Sequence, residues 1–256
     1  MVQTRVAILA AGRGTRLSPL TDARPKCLLP LGDTSPLAMA LESLNHEPAV
    51  AEVILVVGHA REAIDLYLER SAFRFPVRTV FNPLYDSTNN ITSAGLLAEH
   101  CPRGFVLLNS DVVVDPRILS EVFADPEESF LVVDAALPPR LEAMKVRYAA
   151  GRLAAIGKHL DAMTADGEYI GIARFDGPGA RALFRAIDAI LQRDGGDEWY
   201  EAAIGEAARD VRFGLRSTRE RPWIEIDDRE DLERAGREIL PRITTSAGAS
   251  AGGRGV

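Results

Sequence analysis

Short apolar runs alternate with helical segments through the first half of the chain, and this alternation constrains the fold more than any other feature. The runs are rich in β-branched residues and lie at residues 4–10, 53–57, 77–81, 105–108 and 130–134. Segments with helical character lie between them, at residues 36–44, 60–69, 92–100 and 116–123. Strand, helix and strand at this spacing require βαβ crossovers. The pattern therefore predicts an α/β protein with a mostly parallel sheet.

The second half has shorter predicted strands than the first, but no linker separates the two halves. Shorter strands are predicted at 145–148, 152–156, 169–175 and 223–226, and helices at 177–192, 199–208 and 229–240. We therefore predict one domain over residues 1–243, with a first half of about 1–135 and a substrate-facing half of about 136–243. Residues 244–256 are rich in glycine, alanine and serine, which predicts a disordered tail.

Composition excludes several classes of function. The net charge of −7 argues against a nucleic-acid partner, although a local group of basic residues can still bind an anion. The two cysteines, Cys27 and Cys101, lie far apart, which favours reduced thiols in the cytoplasm. The apolar run at the N-terminus is too short for a signal peptide or a membrane span. We expect a cytoplasmic protein without a membrane or nucleic-acid partner.

The loop after the first strand, residues 11–16, reads AGRGTR. Glycines allow backbone N–H groups to turn towards a phosphate, and Arg13 and Arg16 add charged donors. A Walker loop is excluded because Gly14 is not followed by Lys-Ser or Lys-Thr, and a dinucleotide fingerprint is excluded because Leu17 occupies the third glycine position. Taken alone, the loop fits an ordinary βα turn equally well.

A lysine follows this loop in a segment that prolines stiffen. Lys26 lies between Pro25 and Pro30, which favour an extended, fixed backbone. A fixed ammonium near a triphosphate stabilises the charge that develops on the transferred phosphorus. The alternative is a solvated surface lysine without a function.

Together these segments form a longer motif: residues 9–17 read LAAGRGTRL, 19–21 read PLT and 25–31 read PKCLLPL. The motif resembles the signature of the nucleotidyltransferase superfamily of sugar-nucleotide pyrophosphorylases. The resemblance implies a Rossmann-like three-layer α/β/α fold with a mostly parallel mixed sheet, and catalytic roles for Lys26 and Arg16 at the phosphates. The expected nucleotide-binding residues are Leu9, Ala10, Ala11, Gly12, Arg13, Gly14, Thr15, Asn89 and Ser110.

Two aspartates are candidate ligands for Mg²⁺, which prefers carboxylates, phosphate oxygens and water. Asp111 follows a buried strand, and Asp227 shares a strand face with Glu225. The resemblance places metal ligands at Asp111 and Asp227. A capping role is the alternative for an aspartate in a turn, although Asp115 and Asp228 are better placed to cap the helices that follow them.

Segments of the second half are similar to the bacterial phosphocholine cytidylyltransferase-like group. Trp199 and Tyr200, flanked by Glu198 and Glu201, are predicted to form an acidic aromatic box for an ammonium group. The alternative is that these aromatics belong to the core and the glutamates favour a helix N-terminus. The expected acceptor-binding residues are Asn90, Lys145, Glu168, Glu198, Trp199, Tyr200 and Glu225.

The sequence thus predicts a Mg²⁺-dependent nucleotidyltransferase that transfers CMP from CTP to a small phosphorylated acceptor, such as phosphocholine or a phosphonate, and releases pyrophosphate. One alternative is a sugar-1-phosphate nucleotidyltransferase that uses UTP, dTTP or GTP. Another is a non-catalytic nucleotide-binding subunit, which predicts that Lys26 or a metal aspartate is missing. The oligomeric state, including a homodimer, stays open.

Overall fold

The computed structural model describes residues 3–124, 128–135 and 138–244. The strands are β1 (Thr4–Ala10), β2 (Val50–Val57), β3 (Val77–Phe81), β4 (Phe105–Asn109), β5 (Val112–Val114), β6 (Phe130–Asp134), β7 (Lys145–Ala149), β8 (Arg152–Gly157), β9 (Gly167–Phe175), β10 (Gly214–Ser217) and β11 (Trp223–Glu225). The α-helices are α1 (Pro36–Asn45), α2 (Arg61–Glu69), α3 (Asn90–Gly95), α4 (Pro116–Val122), α5 (Gly177–Asp194), α6 (Tyr200–Ala207) and α7 (Arg229–Arg234).

Within the described residues, the main sheet has the strand order β10-β6-β9-β4-β1-β2-β3, and the β7–β8 hairpin joins it beside β9. Strands β4, β1, β2 and β3 are parallel to one another, whereas β9 is antiparallel to both β4 and β6. This arrangement confirms the predicted mostly parallel mixed sheet.

Helices cover both faces of the sheet. Because side chains alternate along a strand, Ala7 and Leu9 of β1 lie in one apolar cluster and Val6 and Ile8 in the other. The first cluster contains buried residues of α3, α5 and α6, and the second contains those of α1, α2 and α4. These layers confirm the predicted three-layer α/β/α fold.

A third apolar cluster lies outside the layers and holds distant segments together. Leu17 and Leu29 of the N-terminal segment pack there with Ile224, Ile226 and Ile239 near the end of the chain. Burial of each large aliphatic side chain contributes about 1.5–3 kcal/mol. The cluster therefore fixes the Lys26 segment against β5 and β11, which form a separate antiparallel pair.

Sequence patterns missed two strands and misplaced some boundaries. Strand β5 has three residues, too few for a periodic signal, and β10 is a short edge strand with polar residues. The helix predicted at 92–100 forms at Asn90–Gly95, and the last helix changes to a π-helix over Ala235–Ile239. Thr244 is still helical, so the predicted tail does not begin there, and its other residues, 245–256, lie outside the described ones.

Helix caps agree with the sequence. Asp115 caps α4 by accepting a hydrogen bond from the backbone N–H of Arg117, and Asp228 caps α7 by accepting one from Asp231. Among the helices that the structure describes, none is both long and apolar enough to cross a membrane.

Candidate active site

A cavity of about 430 Å³ opens where β1 and β4 end, and loops from both halves of the chain line it. This is the edge at which ligands bind in open α/β sheets. Most of the residues predicted from the sequence line it. They are Leu9, Ala10, Ala11, Gly12, Arg13, Gly14, Thr15, Arg16, Lys26, Asn89, Asn90, Ser110, Asp111, Trp199, Glu225 and Asp227.

The glycine-rich loop meets two different demands. Gly14 has a φ of +61°, which favours glycine, and a Cβ there would lie 3.1 Å from the Cβ of Lys26. The hydroxyl of Thr21 also donates a hydrogen bond to the Gly14 carbonyl over 2.9 Å. A Cβ at Gly12 would meet no atom within 4 Å, so the loop backbone there borders open space. The loop is thus closed against Lys26 on one side and open to a ligand on the other.

Buried neighbours hold Lys26 in place. The residue begins a 3₁₀ turn, Lys26–Leu28, after the extended Pro25, and the next side chain, Cys27, is buried. Burial also raises the pKa of the Cys27 thiol to about 12, so this thiol stays protonated at neutral pH. Its neighbours therefore direct the Lys26 side chain towards the cavity, and the alternative of a solvated surface lysine is wrong.

Two aspartates from distant parts of the chain meet the Lys26 ammonium. Its Nζ lies 2.5 Å from Asp111 Oδ2 and 3.2 Å from Asp227 Oδ1, although Lys26 and Asp227 are 201 positions apart in the sequence. The pairing of β5 with β11 explains this convergence, because Glu225 lies opposite Val112 in the register. Asp111 is thereby placed at the end of β11.

Glu225 completes a cluster of three carboxylates with Asp111 and Asp227. One oxygen of each lies within 4.8 Å of the others, and Asp111 Oδ1 is buried without a hydrogen-bond partner. Converging carboxylates with an oxygen that lacks a donor fit the oxygen ligands of Mg²⁺. The residues present therefore fit a divalent cation. Glu225 was predicted only as an acceptor contact, so its place in this cluster was missed.

Charges in this cluster shift one another's pKa values. Burial alone would lower the pKa of Lys26, but the carboxylates of Asp111 and Asp227 outweigh it and raise that pKa. Burial alone would raise the pKa of Asp227, but the charges of Lys26 and Arg16 lower it. The Arg16 guanidinium lies 2.8 Å from Asp227 Oδ1. Lys26 and Asp227 are therefore both charged at neutral pH.

The polar segment before α3 serves mainly as local structure. The Asn89 side chain caps α3 by accepting a hydrogen bond from the Asn90 N–H, and it donates to the Asp197 carbonyl. Asn90 Oδ1 accepts a hydrogen bond from the Tyr200 N–H over 2.8 Å. Both residues line the cavity, and Asn90 also fixes the start of α6, which carries Trp199.

The other end of the cavity is acidic. Glu201 and Glu225 line it, and burial, the largest cause for both, raises the pKa of Glu201 to about 7 and that of Glu225 to about 8. Trp199 also lines this end, and the Lys158 ammonium lies 4.4 Å from the centre of its ring. Lys158 was missed from the sequence because an isolated lysine in the loop after β8 carries no signal.

Four predicted acceptor residues lie outside the lining. Tyr200 is fully buried in the core, and its hydroxyl forms hydrogen bonds with the Tyr169 hydroxyl and with Asn109 Oδ1. Glu198 is exposed and does not line the cavity. Tyr200 is on the buried face of α6 because it shares the apolar stripe of Ala203, Ile204 and Ala207. The predicted box of Trp199 and Tyr200 is thus wrong, and of its two flanking glutamates only Glu201 lines the cavity.

Lys145 and Glu168 are also misplaced by the sequence prediction. Lys145 is 1% exposed, and its Nζ donates hydrogen bonds to the carbonyls of Leu141 and Ala143. The backbone therefore satisfies this ammonium, and no acceptor phosphate is needed to do so. Glu168 is 8% exposed and its Oε1 lies 3.5 Å from the Arg140 guanidinium. Both residues support the loop and strand behind the cavity.

Comparison with known proteins identifies the family. The profile of the MobA-like NTP transferase domain matches residues 6–207. A CMP-5'-(3-aminopropyl)phosphonate synthase of Streptomyces rubellomurinus is 30% identical over 261 residues, which cover 94% of this chain and 39% of that protein. A choline-phosphate cytidylyltransferase of Streptococcus pneumoniae is 34% identical over 103 residues, covering 40% of this chain and 43% of that protein. The chain thus matches about two fifths of the length of each relative.

A solved structure gives the same picture of the fold. The inositol-1-phosphate CTP transferase from T. maritima superimposes with a TM-score of 0.77 at 20% identity, covering 95% of this chain and 97% of that one. The predicted Rossmann-like fold is thereby confirmed, and the two relatives confirm the resemblance to cytidylyltransferases. With a matching profile over most of its length, the chain belongs to the family of MobA-like NTP transferase domains.

Proposed function

We propose that this protein transfers CMP from CTP to a small phosphorylated acceptor and releases pyrophosphate. The observation that carries the proposal is the contact of Lys26 Nζ with both Asp111 and Asp227 inside the cavity that the glycine-rich loop lines. A nucleotide-binding subunit without activity needs no such convergence of a lysine with two aspartates. The preference for CTP is supported by the two relatives whose names specify a CMP or cytidylyl product.

At the phosphate end, the chain supplies positive charge on a rigid frame. Arg13 and Arg16 lie in the loop next to the open space at Gly12, and Lys26 lies across from them. In our proposal, Arg16 and Lys26 exchange part of their contact with the aspartates for phosphate oxygens. Such fixed cations stabilise the charge on the transferred phosphorus without reorganisation.

Asp111, Asp227 and Glu225 would hold the divalent cation. When bound, Mg²⁺ supplies charge neutralisation and orients the phosphate oxygens. Sequence reasoning assigned this role to Asp111 and Asp227, and the three-carboxylate cluster supports the assignment.

The reaction itself needs little from the side chains. An oxygen of the acceptor phosphate or phosphonate forms a bond to the α-phosphorus of CTP, and the bond to the β-phosphate oxygen breaks with its electron pair leaving on pyrophosphate. The attacking oxygen is already ionised at neutral pH, so no general base is required. Catalysis then consists of positioning and charge neutralisation.

A substrate panel tests the proposal. The purified protein is incubated with Mg²⁺, each of CTP, UTP, dTTP and GTP, and phosphocholine, an aminoalkylphosphonate or a sugar 1-phosphate, and pyrophosphate release is measured. We expect release with CTP and a small phosphate or phosphonate acceptor. Preferential release with a sugar 1-phosphate and another nucleotide would instead indicate the sugar-nucleotide alternative, and release with none would contradict the proposal.

Two further properties stay predictions. The cytoplasmic location is an expectation from the sequence, and centrifugation of cell fractions tests it. A mass measurement in solution tests the homodimer.

A further inference from the structure

One buried carboxylate at the acceptor end has an oxygen without a hydrogen-bond partner. Glu201 is 4% exposed, lines the cavity and has its Oε2 atom buried without a hydrogen-bond partner among the described residues. Most buried polar atoms in folded proteins are hydrogen-bonded, and leaving a carboxylate oxygen without a donor is costly. A group that enters the cavity and donates a hydrogen bond would remove this cost.

The surroundings of Glu201 add negative charge. Glu225 lines the same cavity as Glu201, and within the described parts of the chain neither carboxylate makes an ion pair. Lys158, the lysine that lines this end, has its ammonium over the Trp199 ring. The acceptor end therefore presents an acidic surface that is complementary to a cation.

The chemistry of Glu201 distinguishes between two kinds of cation. A primary ammonium has N–H groups that can donate to Oε2, whereas a trimethylammonium group has none. A quaternary ammonium is instead recognised by open aromatic faces, and one face of Trp199 is already covered by Lys158. Glu201 thus offers a hydrogen-bond acceptor that a primary ammonium can use and a trimethylammonium group cannot.

We infer that Glu201 is the specificity residue for the acceptor and that it binds a primary ammonium at the end of the acceptor remote from its phosphate or phosphonate group. The inference rests on the proposed function, because it assigns the other end of the acceptor to the carboxylate cluster at Lys26. It predicts an aminoalkyl phosphate or aminoalkylphosphonate as the substrate class.

A matched acceptor series tests this inference. Phosphoethanolamine, phosphocholine and ethyl phosphate share one chain length and differ in the terminal group, and 3-aminopropylphosphonate and butylphosphonate form a longer pair. For the wild-type protein, we expect kcat/KM to be highest for the primary ammonium of each set. We expect Glu201→Gln to raise KM for the primary ammonium acceptors by about ten- to hundredfold, as for a lost hydrogen bond between charged groups, and to leave KM for CTP unchanged.

A carboxylate on the same helix provides the control. Glu206 pairs with Arg193 and does not line the cavity, so Glu206→Gln should leave every acceptor KM within twofold of wild type. Ethyl phosphate and butylphosphonate, which lack an ammonium group, provide the second control, because Glu201→Gln should not weaken their binding. An equal loss for acceptors with and without the ammonium would show a merely structural role and overturn the inference, as would a preference for phosphocholine.

Binding without turnover separates this inference from the proposed function. Calorimetry with Mg²⁺ and α,β-methylene-CTP, which cannot be cleaved, measures acceptor affinity directly. If no acceptor supports pyrophosphate release but phosphoethanolamine or 3-aminopropylphosphonate binds in a Glu201-dependent manner, the proposed function fails and the subsite stands. If pyrophosphate is released with acceptors whose binding does not depend on Glu201, the proposed function stands and the Glu201 subsite is overturned.

Discussion

The two ends of the cavity differ in how their charges are balanced. At the phosphate end, Lys26 and Arg16 lie 2.5–3.2 Å from the oxygens of Asp111 and Asp227. At the acceptor end, the buried Glu201 has an oxygen without any donor among the described residues. One end therefore holds cations and carboxylates that neutralise each other, whereas the other holds a buried carboxylate oxygen that no described residue satisfies.

This difference indicates what each end can bind. The phosphate end holds positive and negative side chains, so it suits a ligand that also carries both charges, such as a triphosphate together with a divalent cation. Each part of such a ligand replaces one partner of an existing ion pair. The acceptor end, with an unpaired carboxylate oxygen, suits a single cation. The comparison also predicts that changes at the two ends act on different quantities, namely turnover at the phosphate end and acceptor affinity and stability at the other.

The largest effect is expected from Lys26→Ala. The substitution removes the ammonium that we propose to contact the triphosphate, so kcat should fall by about 10²–10³-fold, the range for loss of one fixed donor at a developing charge. Steady-state kinetics of pyrophosphate release measures it. Arg24→Ala is the control, because Arg24 is an exposed neighbour that does not line the cavity. Near-normal turnover of a folded Lys26→Ala variant would contradict the proposed role of the phosphate end in turnover.

A smaller effect, on metal affinity, is expected from the carboxylate cluster. Asp111→Asn removes one charge from the three carboxylates, and we expect the affinity for Mn²⁺, used as a paramagnetic substitute for Mg²⁺, to fall by about tenfold or more. Electron paramagnetic resonance measures free Mn²⁺ in the presence of α,β-methylene-CTP. The exposed Asp33, changed to Asn, is the control.

Glu225→Gln tests which end of the cavity Glu225 serves, because this residue lies between the two ends. A loss of Mn²⁺ affinity equal to that of Asp111→Asn would assign Glu225 to the metal. A loss of acceptor affinity with unchanged Mn²⁺ binding would assign it to the acceptor end, as the sequence alone predicted.

The two ends also differ in how far the sequence predicted them. The phosphate end follows from a continuous motif, since residues 9–17 and Lys26 lie near one another in the chain and at the end of a strand whose boundaries are clear. Asp227 was predicted from its strand and the family resemblance. The sequence pattern did not predict the three-residue strand β5, whose pairing with β11 brings Asp227 to Asp111.

The acceptor end was predicted poorly because its residues come from several loops and one helix start. Near α6 the prediction included Glu198, Trp199, Tyr200 and Glu201, and the structure places only Trp199 and Glu201 of these at the cavity. The apolar stripe that continues from Tyr200 to Ala203 was a usable signal for burial. Nothing in the sequence shows that the ammonium of Lys145 is satisfied by carbonyls four and two positions before it.

The smallest effect concerns stability and has a defined pH dependence. The pKa of Glu201 is raised to about 7, chiefly by burial, while Lys158 acts in the opposite direction and Tyr200 lies beside it. A carboxyl with a raised folded-state pKa destabilises the folded protein when ionised. This cost is absent below its unfolded pKa, grows as the pH rises towards 7 and is complete above that value.

Glu201→Gln removes the charge and therefore tests the acidic end in the absence of any ligand. At pH 8 the variant should be more stable than the wild type by about 1–3 kcal/mol, and at pH 4.5 the two should be nearly equal. Urea unfolding at both pH values measures the difference. The Glu206→Gln control, which removes a half-buried carboxylate paired with Arg193, should show no such gain. A variant less stable at pH 8 would mean that Glu201 is balanced within the protein itself, and the contrast between the two ends would disappear.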